Sequence, residues 1–213
     1  AIIRSQLRNI MAESTSGLLS KLSQFAESQG GFLTAAQARS VGVDREPLKR
    51  LAKQGFLERE QRGLYRLSHF PADEKAELWR ALLWPTLDRS DWMCAILCYG
   101  TALSLYGVST INPSKIDVAV PRNARFRRST PPPPGLQVHQ KNYPPEDITR
   151  VESLPATTLF RTIADLIATN AMTQFVDEAL DNACTRTLLT GKEFDTLKAM
   201  RVLDERAVSF LQV

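Results

Sequence analysis

The stretch Thr34-Ala35-Ala36-Gln37-Ala38-Arg39-Ser40-Val41-Gly42-Val43-Asp44-Arg45-Glu46-Pro47-Leu48-Lys49-Arg50-Leu51 decides how the first third of this chain is read. Thr34 with Gln37 three residues later has the pattern of a capping box, in which the two side chains satisfy each other's exposed backbone N–H groups. Ala35, Ala36, Ala38 and Val41 supply a small apolar face for the helix that starts there, and Gly42 breaks it. Asp44 suits the N-cap of a further helix. Pro47 falls in that helix's first turn, where a missing N–H costs nothing, and the helix runs through Leu48, Leu51 and Ala52 to Gly55. Two short helices joined by the tight turn Val41-Gly42-Val43 meet the geometric requirement of a helix-turn-helix.

The flanking residues complete a winged domain. Upstream, Leu18, Leu19, Leu22, Phe25 and Ala26 recur at helical spacing from Gly17 to Gln29 and stop at Gly30-Gly31. Downstream, residues 56–60 and 64–67 predict two short strands joined by the turn Gln61-Arg62-Gly63. The spacing of Leu48 and Leu51 turns both inward, so Arg45, Glu46, Lys49, Arg50 and Lys53 face out.

The charge distribution agrees. The chain has a net charge of +4, and residues 34–67 hold eight cations (Arg39, Arg45, Lys49, Arg50, Lys53, Arg59, Arg62, Arg66) against four anions (Asp44, Glu46, Glu58, Glu60). Eight minus four accounts for the whole surplus. A basic segment in an otherwise balanced chain is the footprint of a phosphate-backbone partner. The expected DNA-contacting set is Thr34, Arg45, Glu46, Lys49, Arg50, Lys53, Arg59, Arg62 and Arg66, with Arg45 and Glu46 at base edges and Lys53 on phosphate.

Three cysteines, Cys94, Cys98 and Cys184, are an odd number in apolar contexts and point to a reducing compartment. Neither a membrane span nor an apolar signal core is visible, so the expectation is a cytoplasmic protein without metal or cofactor. The organisation expected is an N-terminal arm over 1–15, a winged helix-turn-helix over 16–70 and a mixed α/β domain over 71–213 that ends in helices, an α+β chain in all. Residues 68–73 read as the linker, followed by a helix from near Asp73 that Pro85 stops or kinks. The second domain then offers an apolar run over 93–98, a helix over 101–106, strands over 115–120 and 136–140, and three helices from 157 to about 201. Arg122, Arg125, Arg127 and Arg128, beside the run Pro131–Pro134, form a second basic cluster that suits DNA or an acidic partner.

Further motifs carry a resemblance. Gly31-Phe32-Leu33-Thr34, Gly42-Val43, Leu48-Lys49-Arg50-Leu51, Gly55-Phe56-Leu57 and Arg62-Gly63-Leu64-Tyr65-Arg66-Leu67 resemble the N-terminal domain of the AbiEi antitoxins of type IV toxin–antitoxin systems. Tyr99-Gly100-Thr101-Ala102-Leu103-Ser104-Leu105-Tyr106-Gly107, Ile116-Asp117-Val118-Ala119-Val120-Pro121 and Leu154-Pro155-Ala156-Thr157-Thr158 with Arg161-Thr162 and Asp165-Leu166 are similar to the C-terminal region of that family. The resemblance implies a repressor of its own operon that binds double-stranded operator DNA, with inverted repeats expected, and whose second domain counters a nucleotidyltransferase toxin. It singles out Asp117, Thr158, Arg161, Thr162 and Asp165 as the motif of the second domain.

Catalysis is the competing class, and the residues speak against it. A nucleotidyltransferase needs two carboxylates one residue apart on a strand to hold Mg²⁺, and here Asp117 is followed by Ala119. A nuclease using Asp117 needs an acid two residues before Lys141, and that position is His139. Arg161 and Asp165, four apart on an expected helix, read first as a structural ion pair. The remaining alternative is a plain winged-helix regulator whose second domain senses a ligand or oligomerises.

Overall fold

A computed structural model of the chain describes residues 15–71, 74–87, 95–124 and 132–211, with side chains to residue 203. Arg125, Arg127, Arg128 and nearly all of the expected N-terminal arm lie outside the described residues. The chain forms two compact units, the first made of residues 1–94 with 125–133 and the second of residues 95–124 with 134–213.

In the first unit, helix α1 (Thr15–Ala26) buries Leu18, Leu22 and Ala26, one apolar residue per turn. A 3₁₀ turn (Glu27–Gln29) leads through Gly30 and Gly31, both at positive φ, into strand β1 (Phe32–Thr34). Helices α2 (Ala35–Ser40) and α3 (Arg45–Lys53) follow, then strands β2 (Leu57–Gln61) and β3 (Leu64–Leu67). The three strands form an antiparallel sheet in the order β1-β3-β2. Leu22, Leu33, Val43, Leu48, Leu51 and Leu67 close the core beneath it. This is the element order of a winged helix. Strand β1 was not expected. It pairs Leu33 with Tyr65, and it hid in the sequence as three residues between a glycine stop and a helix cap.

The helix expected to open the second domain belongs to the first unit instead. Helix α4 (Ala76–Leu83) sets Trp79 against Gly30, where an added Cβ would lie 2.4 Å from the indole. Its Arg80 sits 5.5 Å from the centre of the Phe32 ring and 2.9 Å from Glu60. The preceding Phe70 ring fills the space beside Gly31 in the same way. The glycines that end the first helical region thus also make room for aromatic rings 39 and 49 residues downstream (Gly31 to Phe70, Gly30 to Trp79). The first unit therefore extends past the wing through α4, where the sequence suggested a break at 70/71.

The second unit contains a five-stranded mixed sheet in the order β6-β5-β4-β8-β7. Its strands are β4 (Ile96–Leu97), β5 (Ile116–Val120), β6 (Leu136–Gln140), β7 (Ile148–Val151) and β8 (Leu154–Thr157). β5 and β6 are parallel, as are β4 and β8, and the other two pairs are antiparallel. Helices α5 (Tyr99–Tyr106), α6 (Leu159–Ala168), α7 (Thr173–Thr185) and α8 (Gly191–Leu211) share an apolar core in which Ile163 of α6 is fully buried among Leu103, Val108, Val176 and Leu197. With helices and two sheets arranged in this way, the chain is α+β.

Candidate nucleic-acid interface

The helix-turn-helix is set by a buried polar lock. Thr34 Oγ1 accepts the Gln37 N–H at 3.1 Å while Gln37 Oε1 accepts the Thr34 N–H at 2.9 Å, which completes the expected capping box. Gln37 also exchanges amide hydrogen bonds with Gln29 at 3.0 and 3.3 Å, and both side chains are fully buried. Neutral amides that satisfy one another tie α2 to the end of the first helical region without leaving a polar atom stranded. The same observation corrects one expectation: Thr34 is fully buried and occupied, so its side chain is not presented to DNA.

The turn between α2 and α3 closes with the N–H groups of Gly42 and Val43 donating to Arg39 and Ala38. Gly42 sits at φ +79°, a conformation that side chains rarely adopt, and this rather than crowding is what requires glycine there. Asp44 is the N-cap residue of α3, but its side chain makes no capping bond. On α3, Leu48 and Leu51 are buried, as their spacing predicts. Arg45, Glu46, Lys49, Arg50 and Lys53 are all exposed along the opposite arc. Lys49 donates to Glu46 at 2.7 Å, and this pairing, aided by Arg45, holds the Glu46 carboxyl below its usual value.

The wing divides its arginines into two kinds. Arg59 and Arg62 are exposed, and no ion pair binds either among the described residues. The turn carrying Arg62 is fixed to the helices because Gly63 O accepts the Ala35 N–H at 2.8 Å. Arg66 behaves differently. It stands across the strand pair from Glu58 and bonds it at 2.6 Å, approaches Glu60 at 3.2 Å, and its side chain is only 17% exposed. Glu60 is held in turn by Arg80 of α4. The bond from Glu58 pushes the Arg66 guanidinium above its ordinary pKa. Arg66 therefore fastens the wing to α4 and is not a free phosphate ligand, contrary to the sequence expectation. Arg39 stands outside the expected contact set. It is exposed in the last turn of α2, the helix of this motif that crosses the phosphate backbone, and its place in the basic segment was the available signal.

In the second unit four of the five motif residues lie on α6 or at its cap, and Asp117 stands apart on β5. Thr158 is the N-cap of α6 and accepts the Arg161 N–H. Thr162 Oγ1 meets Thr157 Oγ1 at 2.6 Å and also reaches the Thr158 carbonyl at 2.8 Å. Asp165 has a side chain only 1% exposed, and it accepts from Arg161, from Lys141 at 2.8 Å and from the Tyr143 hydroxyl. Lys141 lies over the rings of Tyr99 and Tyr143, and Arg161 over Tyr143. Burial, together with the bond to Asp165, pushes the Tyr143 phenol far up, so it stays a donor. Asp117 is bound to His139 at 2.8 Å, and its own N–H donates to Thr101 Oγ1. Burial and the neighbouring carboxylates push the Cys98 thiol well above its ordinary value. Arg122 is exposed, and its backbone N–H donates to Asn142. Among the described residues, no three His, Cys, Asp or Glu side chains gather as metal ligands, and no helix is long and apolar enough to cross a membrane.

Residues 20–68 match the profile of a family described as transcriptional regulator, AbiEi antitoxin. No curated protein matches the chain. Among solved structures, the chain is similar to the RV2827C protein from Mycobacterium tuberculosis, at 13% identity and a TM-score of 0.49, over 86% of this chain and 71% of that one.

Proposed function

We propose that this chain, whose winged helix belongs to the AbiEi antitoxin transcriptional regulators, is a cytoplasmic repressor of its own operon and the antitoxin of the nucleotidyltransferase toxin encoded with it. The observation that carries the DNA part is the sorting of charge on the first unit. Leu48 and Leu51 hold α3 to the core while its whole outer arc, with Arg59 and Arg62 of the wing, leaves cations exposed. A helix-turn-helix presents the start of its second helix to base edges in the major groove. Arg45 and Glu46 lie there, Arg50 and Lys53 lie further along toward the phosphates, and Arg39 meets the backbone from α2. Two copies on an inverted repeat fit the symmetry such motifs use. The buried carboxylates of the second unit support a binding role rather than catalysis, since Asp117 is engaged with His139, and Asp165 with Lys141, Arg161 and Tyr143.

The test of the DNA reading is a titration of the 213-residue chain against the duplex upstream of its own coding sequence at several salt concentrations. Log affinity should fall steeply with log salt, and Arg50→Ala with Lys53→Ala should reduce the slope by about two. A flat response from the unmodified chain overturns the reading. For the antitoxin part, the chain is co-expressed with the neighbouring toxin. Relief of growth arrest supports the assignment. Folded protein that binds the operator and gives no relief favours a plain regulator whose second unit senses a ligand or oligomerises.

A further inference from the structure

One acidic side chain sits among the outward residues of α3. Glu46 occupies the second position of the helix with its side chain 79% exposed, surrounded along the exposed arc by Arg45, Lys49, Arg50 and Lys53. Its ion-pair partner among the described residues is Lys49, itself half exposed. The neighbouring acid, Asp44, lies at the N-cap, outside the helix proper.

On a surface that meets phosphates, an ionised carboxylate is repelled unless it finds a hydrogen-bond donor. The floor of the major groove offers donors only at the amino groups of cytosine N4 and adenine N6, and a carboxylate, which is acceptor-only, pairs with cytosine N4. The Lys49 ammonium, 2.7 Å from that carboxylate, supplies donors beside it. Guanine, with acceptors at both O6 and N7, is the base that answers such a cation. A carboxylate next to an ammonium therefore matches a cytosine next to the acceptors of a guanine.

We infer that Glu46 is a specificity-determining residue of α3, accepting a hydrogen bond from the N4 amino group of a cytosine in each half-site, with Lys49 released from Glu46 on docking to contact an adjacent guanine. The inference rests on the proposed DNA binding. It also explains how the exposed pair serves both states. In the free protein each charge neutralises the other, and on DNA each exchanges its partner for a base. The competing account is that Glu46 only favours the positive N-terminal end of α3 and pairs with Lys49 one turn on, which would carry no base preference.

The experiment starts from a duplex selected by the unmodified chain out of a randomised pool. Every single-base-pair variant of that duplex is then titrated with unmodified chain, Glu46→Ala and Glu46→Gln. The expected result is one C·G pair per half-site whose replacement weakens the unmodified chain roughly tenfold or more. Glu46→Ala should lose that preference alone, while its affinity for random-sequence duplex rises because a repelled charge is gone. Glu46→Gln should move the preference toward adenine, since a carboxamide pairs with adenine N6 and N7. A preference for cytosine that survives both substitutions overturns the inference, as does a uniform change in affinity across all variants. If the unmodified chain binds no duplex in a salt-dependent way, it is the proposed DNA binding that fails.

Discussion

Glu46–Lys49 on α3 and Arg161–Asp165 on α6 are both opposite charges about one helical turn apart, and the two pairs have opposite physical characters. The first has side chains 79% and 50% exposed, and no further ion pair holds either residue among the described residues. Water already solvates both charges, so breaking the pair strands nothing. In the second, Asp165 is 1% exposed and binds Lys141 and Tyr143 as well as Arg161. Removing the carboxylate there takes the shared partner from Lys141, Arg161 and the Tyr143 hydroxyl at once, although the two cations keep partial access to water and Arg161 keeps Asp147. Spacing along a helix specifies that two charges meet, whereas the dielectric around them decides whether the pair is an exchangeable lever or a fixed latch.

The largest effect should come from the latch. Asp165→Ala is expected to lower stability against urea by about 3 kcal/mol, the lower end for a broken buried pair because the cations left behind are partly exposed, while the affinity of the folded variant for DNA stays the same. A loss below about 1 kcal/mol, the usual worth of an exposed pair, would place Asp165 in the class of Glu46.

The wing gives a second, smaller contrast between Arg66 and Arg62. Arg66→Ala removes a charge-assisted hydrogen bond to Glu58 and an ion pair to Glu60 and should cost about 1.5–3 kcal/mol of stability without changing the salt dependence of DNA binding. Arg62→Ala should leave stability within about 0.5 kcal/mol and reduce the salt slope by about one. If the two variants exchanged these behaviours, the division of the wing into anchored and free arginines would be wrong.

A further contrast lies at alkaline pH in the second unit. Burial raises the Tyr106 phenol from 10.0 to about 12. A group whose folded pKa is raised contributes stability that is complete below its unfolded value and is lost as pH rises through its folded value. Tyr106 should therefore weaken the fold progressively between about pH 10 and 12, and Tyr106→Phe should flatten that part of the denaturation profile. Equal slopes for the two proteins would show that the phenol is not held neutral by the fold.

How much of this was legible follows from where each signal resides. The capping box at Thr34 and Gln37, the inward turn of Leu48 and Leu51 and the hairpin at Arg62-Gly63 are written in residues within a turn or two of each other, and the sequence specified them. It also showed which cations gather on one segment. Strands β7 and β8 escaped notice because their two-residue turn is Glu152-Ser153, both at positive φ where glycine or asparagine is the usual signal. Pro155, which has no N–H to offer a ladder, lies inside β8 and disguises it further.

Only the tertiary structure decided that Thr34 is sealed in the core and that Arg66 is held by two acids. It alone assigned the helix over residues 76–83 to the first unit through Trp79 and Gly30, and gathered Lys141, Tyr143 and Arg161 around Asp165. Those outcomes depend on which distant segments exclude water from one another, and burial is a property of the assembled chain rather than of any stretch of it.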